Sequence, residues 1–187
     1  MSTTPYARTV TATIRFEAPV VTRGERRIAF LPAEASAALP SRGQVAVEGT
    51  LDGRPFEVAV VEPDGLRGHW IDVERLSAGL QGDPAGAPES VTLEFAPAGT
   101  WPEPEVPADL QTALDGAPAS AATWADITPM ARWEWVRWIA STRSPGTRAR
   151  RVEVGIDKLD RGSRRPCCFD LSSCTDPELA KSGKLAR

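Results

Sequence analysis

The chain is short of the residues that carry most enzyme chemistry. Its 187 residues include one His, three Cys, one Tyr and two Met. With a single histidine, His69, a hydrolase triad would have to be built around that residue, and no Gly-x-Ser-x-Gly elbow accompanies it. A structural zinc needs four ligands, yet the cysteines form no Cys-x-x-Cys pair and His69 is far from them in sequence. Ser182-Gly183-Lys184 has no strand before it, so no phosphate loop is present. No stretch approaches the ~20 apolar residues of a membrane helix. No catalytic residue, metal or cofactor is therefore expected, and the balance leans away from an enzyme, with a thiol-based redox enzyme or sensor using Cys167 or Cys168 as an alternative.

Strong charge is missing too. The net charge is −3, too small to draw the whole protein onto nucleic acid or an anionic surface. An odd number of cysteines, two of them adjacent, makes a poor disulfide framework. MSTTPYARTVTATIRF at the start has no apolar segment behind a positive one, so no secretory leader is expected. A reducing cytoplasm is the expected setting, without membrane insertion.

What is present falls into two unlike parts. Thr9 to Phe16 alternates β-branched and apolar residues, which predicts a strand. Arg27–Leu31 predicts a second strand, and Ala33–Leu39 a short helix between prolines. Gln44–Leu51 and Arg54–Val61 flank Asp52-Gly53, a hairpin turn because both central residues must accept positive φ. His69–Val73 and Val91–Phe95 complete six short strands, with Gly82–Pro88 as a loop. Short strands joined by tight turns predict a small closed or half-closed β-barrel. Pro97 to Pro107 holds four prolines and reads as a stiff linker in which Trp101 pins one neighbour.

Beyond it the period changes to helical. Pro107, Pro118, Thr128-Pro129 and Ser144-Pro145 are start signals for four helices. The third is tryptophan-rich: Trp135, Trp138, Ile139 and Thr142 share one side, Trp133, Val136 and Ala140 another, and one of the two sides is expected to meet the barrel. In the fourth, Val152, Ile156 and Leu159 face a core. Cys174 to Leu179 carries cap and proline signals for a short terminal helix. The expected class is α+β: a barrel over 1–97, a linker over 98–106, a four-helix module over 107–165, and a basic cysteine-bearing tail over 166–187.

Residues 143–165 hold eight basic side chains against three acidic ones. Arg148 and Arg151 share a helix face, with Arg143 just ahead and Thr147 in the first turn. Arginine forks grip carboxylate or phosphate, and a helix N-terminus favours anions. This group, with His69 as a pocket-lining candidate, is one reading: a site for a small anionic ligand or a protein partner. The other is a solvated or salt-bridged face, the arginines pairing with barrel acids such as Glu48, Glu57, Asp72 and Glu74. For His69 the alternative is a hydrogen-bonded structural histidine. Cys167, Cys168 and Cys174 near Arg164-Arg165 are candidates for a redox-sensitive thiol or for inert packing. A nucleic-acid-binding regulator using the basic helix is a further alternative, disfavoured by net charge.

The stretch from Val106-Pro107 through Ile139 to Thr147-Arg148-Ala149-Arg150-Arg151-Val152 resembles the bacterial YdeI/OmpD-associated, or bacteriocin-protection, family. The family's Ala-Lys pair stands here as Thr142-Arg143. Phe30-Leu31-Pro32, VEGTLDGRPF at 47–56, Gly68-His69-Trp70 and Gly82-Asp83 resemble the β-barrel domain of unknown function that commonly precedes it. The resemblance spans roughly residues 9–165. It implies a barrel like the double-split β-barrel and a link to stress or bacteriocin tolerance, and it supplies no catalytic residues.

Overall fold

The computed structural model describes residues 13–78, 80, 88–166, 175–180 and 183–185. Strands β1 (Ile14–Arg23), β2 (Arg26–Phe30), β3 (Val45–Leu51), β4 (Arg54–Pro63), β5 (His69–Asp72) and β6 (Ser90–Pro97) close into a barrel in the order β1-β2-β5-β4-β3-β6. All neighbouring strands run antiparallel. The expected alternation runs from Ile14 to Arg23; residues 9–12 lie outside the described part, as does most of the 82–88 loop.

Local chemistry explains the shape. Asp52 and Gly53 take φ of 50° and 76°, so the β3–β4 hairpin turns where both residues tolerate the left-handed region. Along β6, Val91, Leu93 and Phe95 point inward, while Glu94 faces out and meets Arg15 of its paired strand at 3.1 Å. The β3–β4 register slips between Val47 and Gly49. A Cβ on Gly49 would lie 2.0 Å from the Glu94 carbonyl oxygen, so only glycine lets β3 approach β6 that closely.

Helix α1 (Ala33–Ala37) lies where expected, whereas α2 (Val73–Ala78) was not foreseen. The strand expected through Val73 ends at Asp72, whose carboxylate accepts the Arg75 N–H at 2.9 Å and turns the chain into a helix.

The second part contains α3 (Ala108–Asp115), α4 (Pro118–Asp126), α5 (Pro129–Ala140) and α6 (Pro145–Asp160). Thr128 and Ser144 cap α5 and α6 by accepting the N–H groups of Ala131 and Thr147, both at 3.3 Å. Trp135 and Ile139 of α5 pack with Leu110, Leu114, Val152 and Leu159 in one core. Burying each aliphatic side chain here contributes about 1.5–3 kcal/mol. The linker is pinned by Trp133, whose indole N–H donates to the Pro102 carbonyl at 2.7 Å, while Trp101 lines a cavity with Met130.

Instead of the expected terminal helix, residues 177–179 form a turn. Ala180 and Leu185 then pack with Ile28, Phe30 and Trp70 in a third small core, and the Leu185 N–H donates to the Asp64 carbonyl at 2.8 Å. No helix among the described residues is long and apolar enough to cross a membrane.

Candidate ligand cleft

The basic run of α6 finds its partners inside the chain. Arg148 forks onto Asp109 of α3, with Nε 2.6 Å and Nη2 2.9 Å from the carboxylate. Those bonds hold the Asp109 carboxyl below its usual range, and the same bonds raise the Arg148 pKa. Arg151 donates to the Trp138 carbonyl at 2.6 Å and the Ser141 hydroxyl at 2.7 Å, covering the end of α5, and its guanidinium carbon lies 5.6 Å from the Trp138 ring centre. Arg143 donates to the carbonyls of Pro177 (2.5 Å) and Glu178 (3.2 Å). Thr147 enters through its backbone N–H, bound by the Ser144 cap. None of the ion pairs among the described residues joins α6 to the barrel acids Glu48, Glu57, Asp72 or Glu74.

His69 is fully buried, away from this group. One ring nitrogen lies 3.0 Å from the Gly43 carbonyl oxygen, which can only accept, so Nε2 carries the proton. Nδ1 then accepts from the Ser36 hydroxyl at 2.6 Å. Burial pushes the His69 pKa down, outweighing the Gly43 carbonyl, which favours the charged ring. The thiols Cys167, Cys168 and Cys174 lie outside the described residues.

The feature that brings the two halves together is a cavity of about 530 Å³ between the barrel and α5. One wall is the β4 stretch from Phe56 to Glu62 with Trp70 to Asp72 of β5 and Arg75 of α2. The other is Trp133, Val136, Arg137 and Ala140 of α5, with Pro102 to Pro107 along one side and Asp176 along another. On a helix Trp133, Arg137 and Ala140 are stacked at i, i+4 and i+7, which is why one face of α5 delivers all of them.

Three guanidinium groups line this cavity, each differently engaged. Arg137 is ion-paired with Glu62 and lies 3.9 Å from Asp176; the three side chains are 11%, 10% and 9% exposed. Gln44 steadies Glu62 through its amide at 3.1 and 3.2 Å. Its own carbonyl oxygen and the Arg137 Nε–H are buried without a hydrogen-bond partner among the described residues. Arg26 binds Asp176 at 2.8 Å and Glu178 at 3.0 Å. Arg75 differs: its guanidinium carbon lies 6.0 Å from the Trp133 ring centre, and no carboxylate among the described residues pairs with it. A second cavity, about 390 Å³, lies on the far side of Gln44 between Pro40, Trp101 and Met130.

Neither Arg75 nor Arg137 stood out in the sequence. Arg137 lies four residues after Trp133, on one of the two α5 sides that helical spacing offered to the barrel. Arg75 carried no signal, because α2 itself was unseen.

Comparison with known proteins agrees with the two-part layout. Residues 16–79 match the model of a domain of unknown function, DUF1905. Residues 103–162 match that of a family described as bacteriocin-protection, YdeI or OmpD-associated. No curated protein and no solved structure matches the chain. The first match takes in most of the barrel, from β1 to α2, and leaves β6 outside it, and the second takes in α3 to α6, the helices that close the cleft.

Proposed function

We propose that the protein is a non-enzymatic binding protein that takes a small anionic ligand in the cleft between the barrel and α5. The observation that carries this reading is Arg75: an exposed guanidinium over the Trp133 ring, in a cavity of about 530 Å³, without a carboxylate partner among the described residues. A cavity of that size suits a small molecule, and a mixed wall of aromatic, aliphatic and few polar groups is the usual lining of such sites. An arginine backed by an aromatic ring is held in place at little further entropic cost and presents its outer edge to a carboxylate or phosphate. Arg143, Arg148 and Arg151 are a weaker choice, since the 177–178 carbonyls, Asp109, Trp138 and Ser141 already take their donors. A role in bacteriocin tolerance rests on the description of the matched family alone.

The test is a fluorescence titration of the purified protein against a panel of anionic metabolites, since Trp70 and Trp133 line the cleft. At least one anion should change tryptophan emission saturably, and Arg75→Ala should weaken it tenfold or more while Arg148→Ala leaves it unchanged. Loss of binding in Arg148→Ala but not Arg75→Ala would return the site to α6.

A further inference from the structure

Asp176 holds a place in the cleft for which a ligand would have to compete. Its carboxylate, nearly buried, lies between Arg26 at 2.8 Å and Arg137 at 3.9 Å, and Asp176 belongs to the cavity wall. It comes from the segment following residue 174, far in sequence from everything else that lines the cleft. Next to it, Arg26 and Arg137 face two buried carboxylates, Glu62 and Asp176. Glu62 belongs to a barrel strand and is held by Gln44, so it is a fixed part of the wall. Asp176 is the member of the quartet that another carboxylate could replace with no change in buried charge.

We infer that Arg26 and Arg137 form a carboxylate subsite that Asp176 occupies as a built-in competitor, so that a ligand's carboxylate enters by displacing it. The inference rests on the cleft being the binding site. A ligand's carboxylate would replace that of Asp176 one for one between Arg26 and Arg137. The aromatic lining from Phe56, Trp70 and Trp133 favours a carboxylate on an aromatic or apolar body. A tethered group acts at an effective concentration on the order of millimolar, enough to mask a weak subsite from free carboxylates.

The test uses the full chain with benzoate as probe, and benzamide and inorganic phosphate as controls, read by calorimetry. Asp176→Asn removes the charge yet keeps an oxygen for the Glu178 N–H that Asp176 accepts at 2.9 Å. It should bind benzoate at least tenfold tighter than the wild type, with no gain for benzamide or phosphate. Glu178→Gln, which removes a carboxylate from Arg26 outside the cavity, should shift benzoate affinity less than twofold. Arg26→Gln added to Asp176→Asn should abolish the gain. Folding of each variant is checked by near-ultraviolet circular dichroism, and Asp176→Ser replaces Asp176→Asn if that variant fails. Equal gains from Glu178→Gln and Asp176→Asn overturn the inference, since any lost charge would then do, and an equal gain for phosphate overturns the carboxylate assignment. Benzoate binding that Asp176→Asn leaves unchanged overturns self-occupancy alone. Binding of no probe by any variant overturns both the subsite and the cleft reading beneath it.

Discussion

The barrel and the helical part handle charge in opposite ways. The barrel turns a few ionisable groups inward: His69, Glu62 and Asp64 are all buried, each held by hydrogen bonds or an ion pair. The helical part keeps many arginines near its surface and ties them down within its own neighbourhood, Arg132 to the end of α4 and to Glu103, Arg148 to Asp109, and Arg151 to the end of α5. Arg137 crosses between the two regimes, a helical arginine inserted against a buried barrel carboxylate. The density of positive charge along the chain therefore says little about where charge is free to meet a ligand. The densest run is largely engaged, and Arg75, which no carboxylate among the described residues pairs with, belongs to a six-residue helix on the barrel.

The sharpest test of that contrast is Arg137→Ala. It leaves Glu62 buried beside only the Gln44 amide, and an orphaned buried charge is among the costliest defects a protein can carry. A loss of about 3 kcal/mol in urea unfolding is expected. Replacing both partners, Arg137→Met with Glu62→Leu, should recover most of it. A loss below 1 kcal/mol from Arg137→Ala would mean that Glu62 is effectively solvated through the cavity, and the contrast between the two halves would blur.

That prediction also marks where sequence reading stops. Asp52-Gly53, Thr128-Pro129 and Ser144-Pro145 were legible because turns and caps are set by adjacent residues. Helical spacing separated the two apolar sides of α5 without saying which of them meets the barrel. The partners were not: Glu62 lies 75 residues before Arg137, and Asp109 lies 39 before Arg148. Only the packing of α6 on α3 decides that Arg148 meets Asp109 in place of a barrel acid. Helix α2 was hidden because Asp72 ends a strand and caps a helix at once, and His69-Trp70-Ile71 before it reads as strand in any context.

The barrel's inward polarity should show in acid. The unfolded chain's histidine takes up a proton near pH 6.5, whereas burial holds the folded pKa of His69 lower. Between these values the unfolded state binds more protons, so stability present above about pH 6.5 is lost as pH falls toward the folded pKa. One proton sets a ceiling of about 1.4 kcal/mol per pH unit on that slope, before the carboxylates join in below about pH 5. His69→Gln should flatten that window. An unchanged slope in His69→Gln would assign the acid sensitivity to other groups.

A packing change separates the helical core from its charges. Gly155 sits in mid-α6, and a Cβ there would lie 3.7 Å from both Ile139 and Trp135, an ordinary contact. Alanine restricts the unfolded chain and has better helix propensity, so Gly155→Ala should stabilise by about 0.5–1 kcal/mol. A loss instead would show that α5 and α6 need closer approach than the structure has.

The smallest expected effect is at the most conspicuous cluster. Arg148 and Asp109 make a two-bonded pair, but their side chains are 30% and 42% exposed, so water screens most of the attraction. Arg148→Ala should cost about 0.5 kcal/mol or less at neutral pH. Its pH dependence gives the pair its signature. The Arg148 bonds hold the folded Asp109 pKa below its unfolded value, so the pair's contribution is present above the unfolded carboxyl pKa of about 3.9 and lost as pH falls through the folded one. Wild type and Arg148→Ala should therefore converge in stability in strong acid, well below the pH at which His69 acts. A cost above 2 kcal/mol at neutral pH would place Arg148 in the same class as Arg137 and break the contrast between the two halves.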